Sequence, residues 1–347
     1  MRSVTRWIWG ACGLAGAVVV ALVAALVPSV GAGAEPFTAG AGAEPLTVGT
    51  PVTVPVGELG ANAVTPTPDG RRLLVLTGSG VAVVDSRTSE VLGTITLPFT
   101  LSGLLLAPDG TRAYTSSADG IVPLDLTTGL IGDVLVGAAE DGVPTSLDGI
   151  SPDGTRLSGV IHATESGVGL VDLSSGTARR IPLPSTAASD AVVVTTDATR
   201  VYVGGTSYEP SPTTEPLEVI DVATGTTTPV AGTEGTLSVA LSRDGRSVYG
   251  IGFSQAVVLD AATGTVTRSV PTSLLSGEFV ISRSGRYLFV VDVSGNGVEV
   301  FDMESGGIVA TIPIGAQPGD LALAPDDSAL YVASQAGFTV VPLTGGG

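Results

Sequence analysis

The sequence contains no lysine and only one histidine, and its single cysteine lies at position 12. Without lysine there is no phosphate-loop lysine, Schiff base or lysine general base. Cys12 alone leaves no disulfide, and a single histidine argues against a zinc site with ordinary ligands. Aromatic residues make up only 4% of the chain, whereas glycine (48 residues) and proline (23 residues) are abundant. This composition favours short strands and many turns over long helices.

The charge is strongly one-sided. The chain has thirty-three acidic residues and fifteen basic ones, all of them arginine, which gives a formal net charge of −18. Such a surface repels phosphate backbones and anionic lipid headgroups, so we expect no nucleic-acid binding. Cationic partners or metal ions are compatible with it, although solubility alone also explains an acidic surface.

The N-terminus has the plan of an export signal. Arg2 and Arg6 precede an uncharged run over residues 7–27, and small-x-small cleavage sites follow at residues 32–34 and 41–43. The run is also long enough to span a bilayer, so residues 1–34 are either a signal peptide or an N-terminal membrane anchor. Both alternatives place the rest of the chain outside the cytoplasm, secreted or anchored through residues 7–27. Residues 35–48 read as a flexible Gly/Ala/Pro linker, and residues 49–347 as the folded domain.

A sequence motif recurs along that domain. Each copy has a Pro-Asp-Gly-like turn, an apolar run, a loop, a second apolar run that ends in Asp, and a Thr-Gly turn. The turn residues recur at spacings of 40 to 47; they are Asp69, Asp109, Asp153, Asp197, Asp244, Ser284 and Asp326. A second series closes the second apolar run; it comprises Asp85, Asp125, Asp172, Asp221, Asp260 and Asp302, with Pro342 in the seventh copy. Both series are interpreted as turn-forming residues.

One copy shows the expected strands. The apolar residues 104–107 end at the turn 108–110, strands follow at 113–115 and 121–125, and residues 130–136 are predicted to form a fourth strand. Four antiparallel strands in about 40–45 residues are typical of a propeller blade. Seven copies therefore predict an all-β, seven-bladed β-propeller.

The chain ends predict how the ring closes. The last copy stops after its third strand, and residues 50–57 resemble the fourth strand of the sixth copy, residues 310–315. We therefore expect the N-terminal strand to complete the last blade, because a closed ring leaves no open sheet between its ends.

These motifs resemble the YVTN-type β-propeller repeat family. The best matches to its consensus are residues 201–203, 219–221 with 224–225, 311–315 and 330–332. The resemblance covers about residues 50–345 and implies a seven-bladed, usually extracytoplasmic protein that presents a binding surface. The family has no uniform activity. The Asn that ends its eponymous motif is absent from every copy here.

Candidate binding residues are expected where the copies differ, on the face that carries the loops. His162 beside Glu165 could act as a general base or a pH-sensitive contact, or be an inert loop-edge histidine. The long loop 204–216 offers Tyr208 between proline and glutamate residues. Residues 292–297 resemble the start of a calcium loop, but Met303 stands where a bidentate glutamate is needed. The predicted binding set is Glu140, Asp141, His162, Glu165, Tyr208, Glu209, Glu215, Asp292 and Asn296, with no catalytic residue, metal or cofactor.

Three functional hypotheses follow. The first is an exported, non-catalytic, monomeric propeller that binds a protein, glycan or cell-envelope partner through an acidic, loop-rich face. The second is a propeller enzyme, a lactonase-like or other hydrolase or lyase, that uses carboxylates and His162. The third is a structural cell-surface protein. The fold is shared by binding proteins and enzymes alike, so it does not select among them.

Overall fold

The computed structural model describes most of the chain after residue 44. The described ranges are 45–56, 60–97, 103–138, 142–151, 153–161, 167–183, 191–204, 215–252, 254–272, 277–292, 296–315 and 317–346. Within them every regular element is a β-strand, and the strands form seven separate antiparallel sheets. None of the described segments forms a helix with the length and apolar character needed to cross a membrane.

Each sheet is one blade, and the strands run outward in chain order. Blade 1 comprises β3 (Ala63–Pro66), β4 (Arg72–Thr77), β5 (Gly80–Asp85) and β6 (Val91–Thr96). Blade 2 comprises β7 (Leu105–Leu106), β8 (Arg112–Ser117), β9 (Gly120–Asp125) and β10 (Val136–Gly137). Blade 3 comprises β11 (Gly149–Ile150), β12 (Arg156–Ile161), β13 (Gly167–Asp172) and β14 (Thr177–Pro182). Blade 4 comprises β15 (Ala191–Val194), β16 (Arg200–Gly204), β17 (Glu218–Asp221) and β18 (Thr227–Pro229).

The remaining blades follow the same order. Blade 5 comprises β19 (Thr236–Leu241), β20 (Ser247–Gly252), β21 (Gln255–Asp260) and β22 (Val266–Pro271). Blade 6 comprises β23 (Phe279–Ile281), β24 (Tyr287–Asp292), β25 (Gly297–Asp302) and β26 (Gly307–Pro313). Blade 7 comprises β27 (Pro318–Leu323), β28 (Ala329–Ser334), β29 (Gly337–Thr344) and the N-terminal strands β1 (Thr47–Val48) and β2 (Val52–Val54). The fold is a seven-bladed β-propeller, as the repeats predict.

The N-terminal segment closes the ring. Strand β1 pairs with the end of β29, Thr47 opposite Thr344, and β2 pairs with its beginning, Val54 opposite Phe338. The outer strand of the last blade therefore comes from the start of the domain, as predicted. A buried apolar cluster that includes Phe338 and Val64 then packs blade 7 against blade 1. Similar clusters fill the other blade interfaces, because the central strands bury side chains on both faces.

The repeated aspartates form turns, as their spacing predicts. In blade 1, the carboxylate of Asp69 accepts hydrogen bonds from the hydroxyl of Thr67 (2.6 Å) and the backbone N–H of Arg71 (3.0 Å). The next residue of the turn has a left-handed backbone, which glycine adopts without strain: Gly70 has φ of 68°. Asp85 caps the following turn by accepting from the backbone N–H of Thr88 at 2.8 Å. The repeated turn motif therefore has a structural role: it forms the turns that connect the strands of each blade.

Blade 2 departs from the prediction at its outer edge. Residues 130–136 do not form a continuous fourth strand; β10 and one isolated bridge, Leu124 to Ile131, pair with β9, and Gly132 donates its backbone N–H to the oxygen of Pro123 at 2.9 Å. The cause is Pro123 in β9, which lacks an N–H to donate to the ladder. Its ring also occupies the path of the outer strand, since a Cβ added at Gly132 would lie 2.8 Å from Pro123 Cγ.

Candidate functional site

The ring has two chemically different faces. The face that carries the turns between first and second strands and between third and fourth strands is called the turn face. The opposite face, which carries the loops between second and third strands and the connections between blades, is called the loop face. The first strand of each blade lines the central channel that joins them.

Arginine residues concentrate on the turn face. Arg2 and Arg6 lie in the N-terminal segment, and the other thirteen arginines are all described. Ten of these thirteen lie in turns of the turn face or at the strand ends next to them. These ten are Arg71, Arg72, Arg87, Arg112, Arg156, Arg200, Arg243, Arg246, Arg283 and Arg286.

The three other arginines lie on outer strands. The guanidinium of Arg179 donates to the backbone oxygen of Val222 at 2.6 Å, and that of Arg268 donates to the backbone oxygen of Met303. Both acceptors follow the aspartates that begin turns on the turn face. Arg180 lies instead near the loop-face end of blade 3, on its outer edge. Within the described residues, the part of the loop face around the channel therefore carries no basic side chain.

The loop face and the channel carry carboxylates without arginines among them, whereas the arginines of the turn face are interspersed with the repeated aspartates. Nine described acidic residues lie in loops of this face, in the strands that lead to it, or in the channel. They are Asp119, Asp148, Glu215, Glu218, Glu234, Glu278, Asp292, Glu299 and Asp320. Because charges of one sign lie here without interspersed arginines, the face has the electrostatic character of a cation-attracting surface.

Asp320 is the most perturbed of these carboxylates. A β-bulge between Pro318 and Asp320 interrupts the register of β27, and bulges re-aim the side chains beside them. The carboxylate accepts a hydrogen bond from the backbone N–H of Val64 at 2.9 Å, on the first strand of blade 1. Burial raises the pKa of Asp320 to about 6, the hydrogen bond from Val64 lowers it, and the negative charge of Glu278 raises it further.

Glu278 stands at the entrance to blade 6. Its side chain helps to line a cavity of about 330 Å³ between the inner strands of blades 3 to 6, together with Asp148 and Phe279. The side chain is accessible to water in the channel, yet the surrounding blades displace bulk solvent, and this burial raises the pKa of Glu278. Two carboxyl groups with raised pKa values therefore interact within one channel, and both are suited to exchange protons or to pair with cations.

Two further glutamates occupy equivalent positions in different blades. Glu218 and Glu299 each lie three residues before the aspartate that ends the third strand. Burial raises the pKa of both, and a neighbouring acid adds to the effect: Glu215 for the first and Asp292 for the second. The corresponding residues in the other blades are apolar, small or hydroxylic; they are Ala82, Val122, Gly169, Val257 and Thr339. An alignment of the repeats shows these two glutamates at a position that is uncharged in the other blades. Glu218 and Glu299 were nevertheless not among the predicted residues.

The turn face satisfies its own charges. The pKa of Asp153 is lowered to about 2 by hydrogen bonds from the side chains of Ser151 and Thr155. Arg243 donates to the backbone oxygen of Pro325 at 2.6 Å and lies 3.8 Å from the carboxylate of Asp327, which ties blade 5 to blade 7. This network of local hydrogen bonds distinguishes the turn face from the loop face.

The predicted binding residues are only partly described. Six of them lie outside the described residues: Glu140, Asp141, His162, Glu165, Tyr208 and Glu209. Glu215 is exposed on the loop face, three residues before Glu218. Asp292 ends β24, and Asn296 precedes β25 with a left-handed φ of 54°, which asparagine tolerates. Among the described residues, no group of three or more His, Cys, Asp or Glu side chains has the arrangement of a metal site.

Comparisons with known proteins agree with this architecture. The chain matches no family profile and no curated protein. Among solved structures, a chain of Kuenenia stuttgartiensis hydrazine synthase aligns with a TM-score of 0.63 and 19% identity, over 84% of this chain and 97% of that one. The β-propeller domain of Myceliophteria thermophila Cps50 (Swd1) aligns with a TM-score of 0.66 and 14% identity, over 86% and 100%. At these identities the likeness shows the propeller fold alone.

Proposed function

We propose that this protein is an exported, non-catalytic β-propeller that binds a cationic partner through its acidic loop face. The observation that carries the proposal is the arrangement of charge on the two faces of the ring. On the turn face the arginines are interspersed with the repeated aspartates, whereas the nine described carboxylates on or below the loop face have no arginine among them. Charge arranged in this way steers oppositely charged partners to one surface.

The chemistry of the partner follows from the surface. Carboxylates select positive charge, so the fitting partners are a basic protein segment, an amino-sugar polymer or another cationic component of the cell envelope. The resemblance to YVTN-type propellers and the N-terminal export plan support an extracytoplasmic location. A rigid scaffold with variable loops on one face is also where propellers and other folds concentrate recognition.

Binding to defined polycations tests the proposal. We would titrate the purified protein with polylysine and with chitosan, and use uncharged dextran as the negative control. We expect saturable binding to both polycations that weakens as salt is raised, because screening shortens the reach of surface charge.

Matched variants locate the binding surface. The double variant Glu215→Gln/Glu234→Gln removes two exposed charges from the loop face, while Glu90→Gln/Asp133→Asn removes two exposed charges from elsewhere. The loop-face variant should bind more weakly, and the control variant should bind like the wild type. An equal loss of polycation binding in both variants would mean that binding depends only on net charge, and it would sink the proposal.

A second candidate is a hydrolase or lyase that uses the channel carboxylates. The observation that favours it is the raised pKa of Asp320 and of Glu278, since general acids and bases work best with a pKa near the operating pH. Screening of lactones and other hydrolysable substrates tests this candidate. Turnover that survives Asp320→Asn, Glu278→Gln and His162→Ala would rule it out.

A further inference from the structure

The groove between blades 2 and 3 is open near the turn face. It encloses a cavity of about 710 Å³, whose walls include Tyr114, Pro123, Leu130 and Leu135 of blade 2 and Leu173 of blade 3. The side chains of Leu130 and Leu135 are 67% and 39% exposed. A cavity of this size, with apolar walls and a few polar groups, is typical of a ligand site.

Blade 5 shows how the equivalent groove is filled elsewhere in this molecule. Tyr249, Val258 and Arg268 are cross-strand neighbours on β20, β21 and β22. The guanidinium of Arg268 reaches out of blade 5 and donates to the backbone oxygen of Met303, which follows the aspartate that ends β25 of blade 6. Burial and the charge of Asp244 raise the pKa of Tyr249, whereas the charge of Arg268 lowers it. The tyrosine ring and the guanidinium therefore share one groove.

Blade 3 places an arginine in the same way. Arg179 lies opposite Leu170 on β13, the register position that Arg268 has in blade 5. Its guanidinium donates to the backbone oxygen of Val222 at 2.6 Å, and Val222 follows the aspartate that ends β17 of blade 4. In both grooves an arginine of the outer strand thus binds the same backbone oxygen of the next blade.

Blade 2 has the same row of residues without the arginine. Tyr114 is the cross-strand neighbour of Pro123, and Gly132 occupies the position of the arginine, with its N–H 2.9 Å from the oxygen of Pro123. The equivalent acceptor in blade 3 is the backbone oxygen of Leu173, which follows Asp172. Because glycine has no side chain, the groove that Arg268 fills between blades 5 and 6 is a cavity between blades 2 and 3.

The groove between blades 1 and 2 is less suited to a guanidinium. Gly93 occupies the arginine position there as well, but Leu74 replaces the tyrosine, and the cavity is smaller, at about 480 Å³. An aromatic face attracts a guanidinium through a cation–π interaction. The groove that contains Tyr114 is therefore the better site of the two.

The charges around the cavity are compatible with a cationic ligand. Asp125 lines the cavity, and hydrogen bonds from the backbone N–H and the hydroxyl of Thr128 lower the pKa of its carboxyl, so it is ionised at neutral pH. Arg112 lines the cavity too. Its equivalent in blade 3 is Arg156, and that blade also carries Arg179. An arginine at this register position therefore does not exclude a second guanidinium.

We propose that the groove between blades 2 and 3 binds an arginine side chain supplied by a protein partner. Its guanidinium donates to the backbone oxygen of Leu173 and lies against Tyr114, while its aliphatic stem packs on Leu130 and Leu135. The site is separate from the acidic loop face, so the inference goes beyond the proposed function and does not rest on it.

Ligand-observed NMR titration of the full chain tests the site. The probe is N-acetylarginine N-methylamide, which presents one arginine side chain between peptide bonds. The matching citrulline compound keeps the shape without the charge, and the lysine compound keeps the charge without the planar fork. We expect saturable binding of the arginine probe, and binding about tenfold weaker for the other two compounds, because charge-assisted bonds from a planar fork are lost.

Variants of blade 2 locate the bound probe. Pro123→Val/Gly132→Arg rebuilds the row of blade 5 inside blade 2, so its internal guanidinium should compete and weaken probe binding about tenfold. Leu130→Ser removes an exposed wall of the cavity and should also weaken binding. The matched control is Leu92→Ser on the outer strand of blade 1, where Leu92 is 53% exposed, and it should bind like the wild type. Denaturant unfolding shows which variants are folded.

Several outcomes would overturn the proposal. Equal affinity for the arginine and citrulline probes would mean that the site does not recognise a guanidinium. Unchanged affinity in a folded Pro123→Val/Gly132→Arg variant would mean that the probe binds elsewhere. If that variant does not fold, the comparison of Leu130→Ser with Leu92→Ser decides, and equal affinities in these two would contradict the site.

The loop-face variant Glu215→Gln/Glu234→Gln separates this inference from the proposed function. It should bind the arginine probe like the wild type, because the two exposed glutamates lie on the other face of the ring. Loss of probe binding in this variant would place the probe on the loop face and overturn the inference. Polycation binding by the Leu130→Ser variant reports on the loop face independently, so the two proposals can fail separately.

Discussion

The carboxylate of Asp320 accepts a hydrogen bond from the backbone N–H of Val64, 2.9 Å away, and so joins the inner strands of the last and first blades. The inner strand of each blade is a sheet edge, and an unpaired N–H on such an edge needs an acceptor. The bond therefore adds a polar contact to the apolar closure of the ring. It also places a carboxyl group with a pKa of about 6 in the channel.

The first prediction concerns Asp320→Asn. In the native protein the pKa of this carboxyl is raised from 3.8 to about 6, so the native state binds the proton more tightly than the unfolded state. The free energy of unfolding should then fall as the pH rises from about 4 to about 6, by at most about 3 kcal/mol at 1.36 kcal/mol per pKa unit. Asparagine keeps an acceptor for Val64 but does not ionise.

The Asp320→Asn variant should be more stable than the wild type at pH 7.5 and nearly equal to it at pH 4. Urea unfolding at both pH values measures the difference. Asp320→Ala is the control, because it leaves the N–H of Val64 without its acceptor and should destabilise by about 1–3 kcal/mol. A difference between Asn and wild type that does not vary with pH would contradict the raised pKa.

The second prediction tests the interaction between the two channel carboxylates. The charge of Glu278 is one of the causes that raise the pKa of Asp320. Glu278→Gln should therefore lower the pKa of Asp320 toward its ordinary value, as followed by carboxyl-carbon NMR. Glu90→Gln, on the turn face, should leave that pKa unchanged. If both variants behave alike, the two carboxylates do not share the channel.

The third prediction concerns the irregular edge of blade 2. A Cβ at Gly132 would lie 2.8 Å from Pro123, whereas a Cβ at Gly93, on the outer strand of blade 1, would meet nothing within 4 Å. Gly132→Ala should destabilise the protein by about 1–3 kcal/mol through overpacking. Gly93→Ala should be neutral or stabilising by up to about 1 kcal/mol, because alanine reduces the entropy of the unfolded chain.

Denaturant midpoints of both variants measure the difference. Pro123→Ala in the Gly132→Ala background should recover most of the lost stability, because it removes the ring that the new methyl group meets. Equal effects at positions 132 and 93 would show that Pro123 does not set the path of this edge.

The fourth prediction concerns the ion pair of blade 6. The guanidinium of Arg286 binds Asp302 through two bonds, Nε to Oδ1 at 2.9 Å and Nη2 to Oδ2 at 3.1 Å, and its Nη1 lies 2.7 Å from Glu304. Burial alone would raise the pKa of Asp302, but the hydrogen bond from Arg286 and its charge lower it overall. The contribution of this ion pair to the free energy of unfolding is therefore present at neutral pH, and it is lost as the pH falls through the lowered pKa of Asp302.

Arg286→Ala should destabilise the protein by about 2–4 kcal/mol at pH 7, because it leaves the buried carboxylate of Asp302 without its cation. Arg286→Lys should recover only part of this loss, since lysine cannot form the paired bonds. The free energies of unfolding of Arg286→Ala, Asp302→Asn and the double variant give the coupling free energy between the two side chains. Additive losses in this cycle would show that the pair contributes nothing of its own.

The sequence determined the architecture because its signals are local. A turn such as Thr67 to Gly70 needs only neighbouring residues: a hydroxyl, a carboxylate and a left-handed glycine. Strands with apolar runs follow these turns at nearly regular spacing. The last copy lacks an outer strand, and the segment at the start of the domain has the sequence of one. Seven blades and the closure of the ring could therefore be predicted from the repeats.

Only the tertiary structure decided which residues meet across the ring. Asp320 and Val64 are 256 residues apart, and neither has a neighbour in the sequence that indicates the bond. The raised pKa values of Asp320 and Glu278 depend on how the blades enclose the channel, which no local pattern encodes. The broken edge of blade 2 likewise follows from where the ring of Pro123 lies beside Gly132. Local chemistry thus specifies the blades, while packing between distant blades sets the electrostatics of the channel.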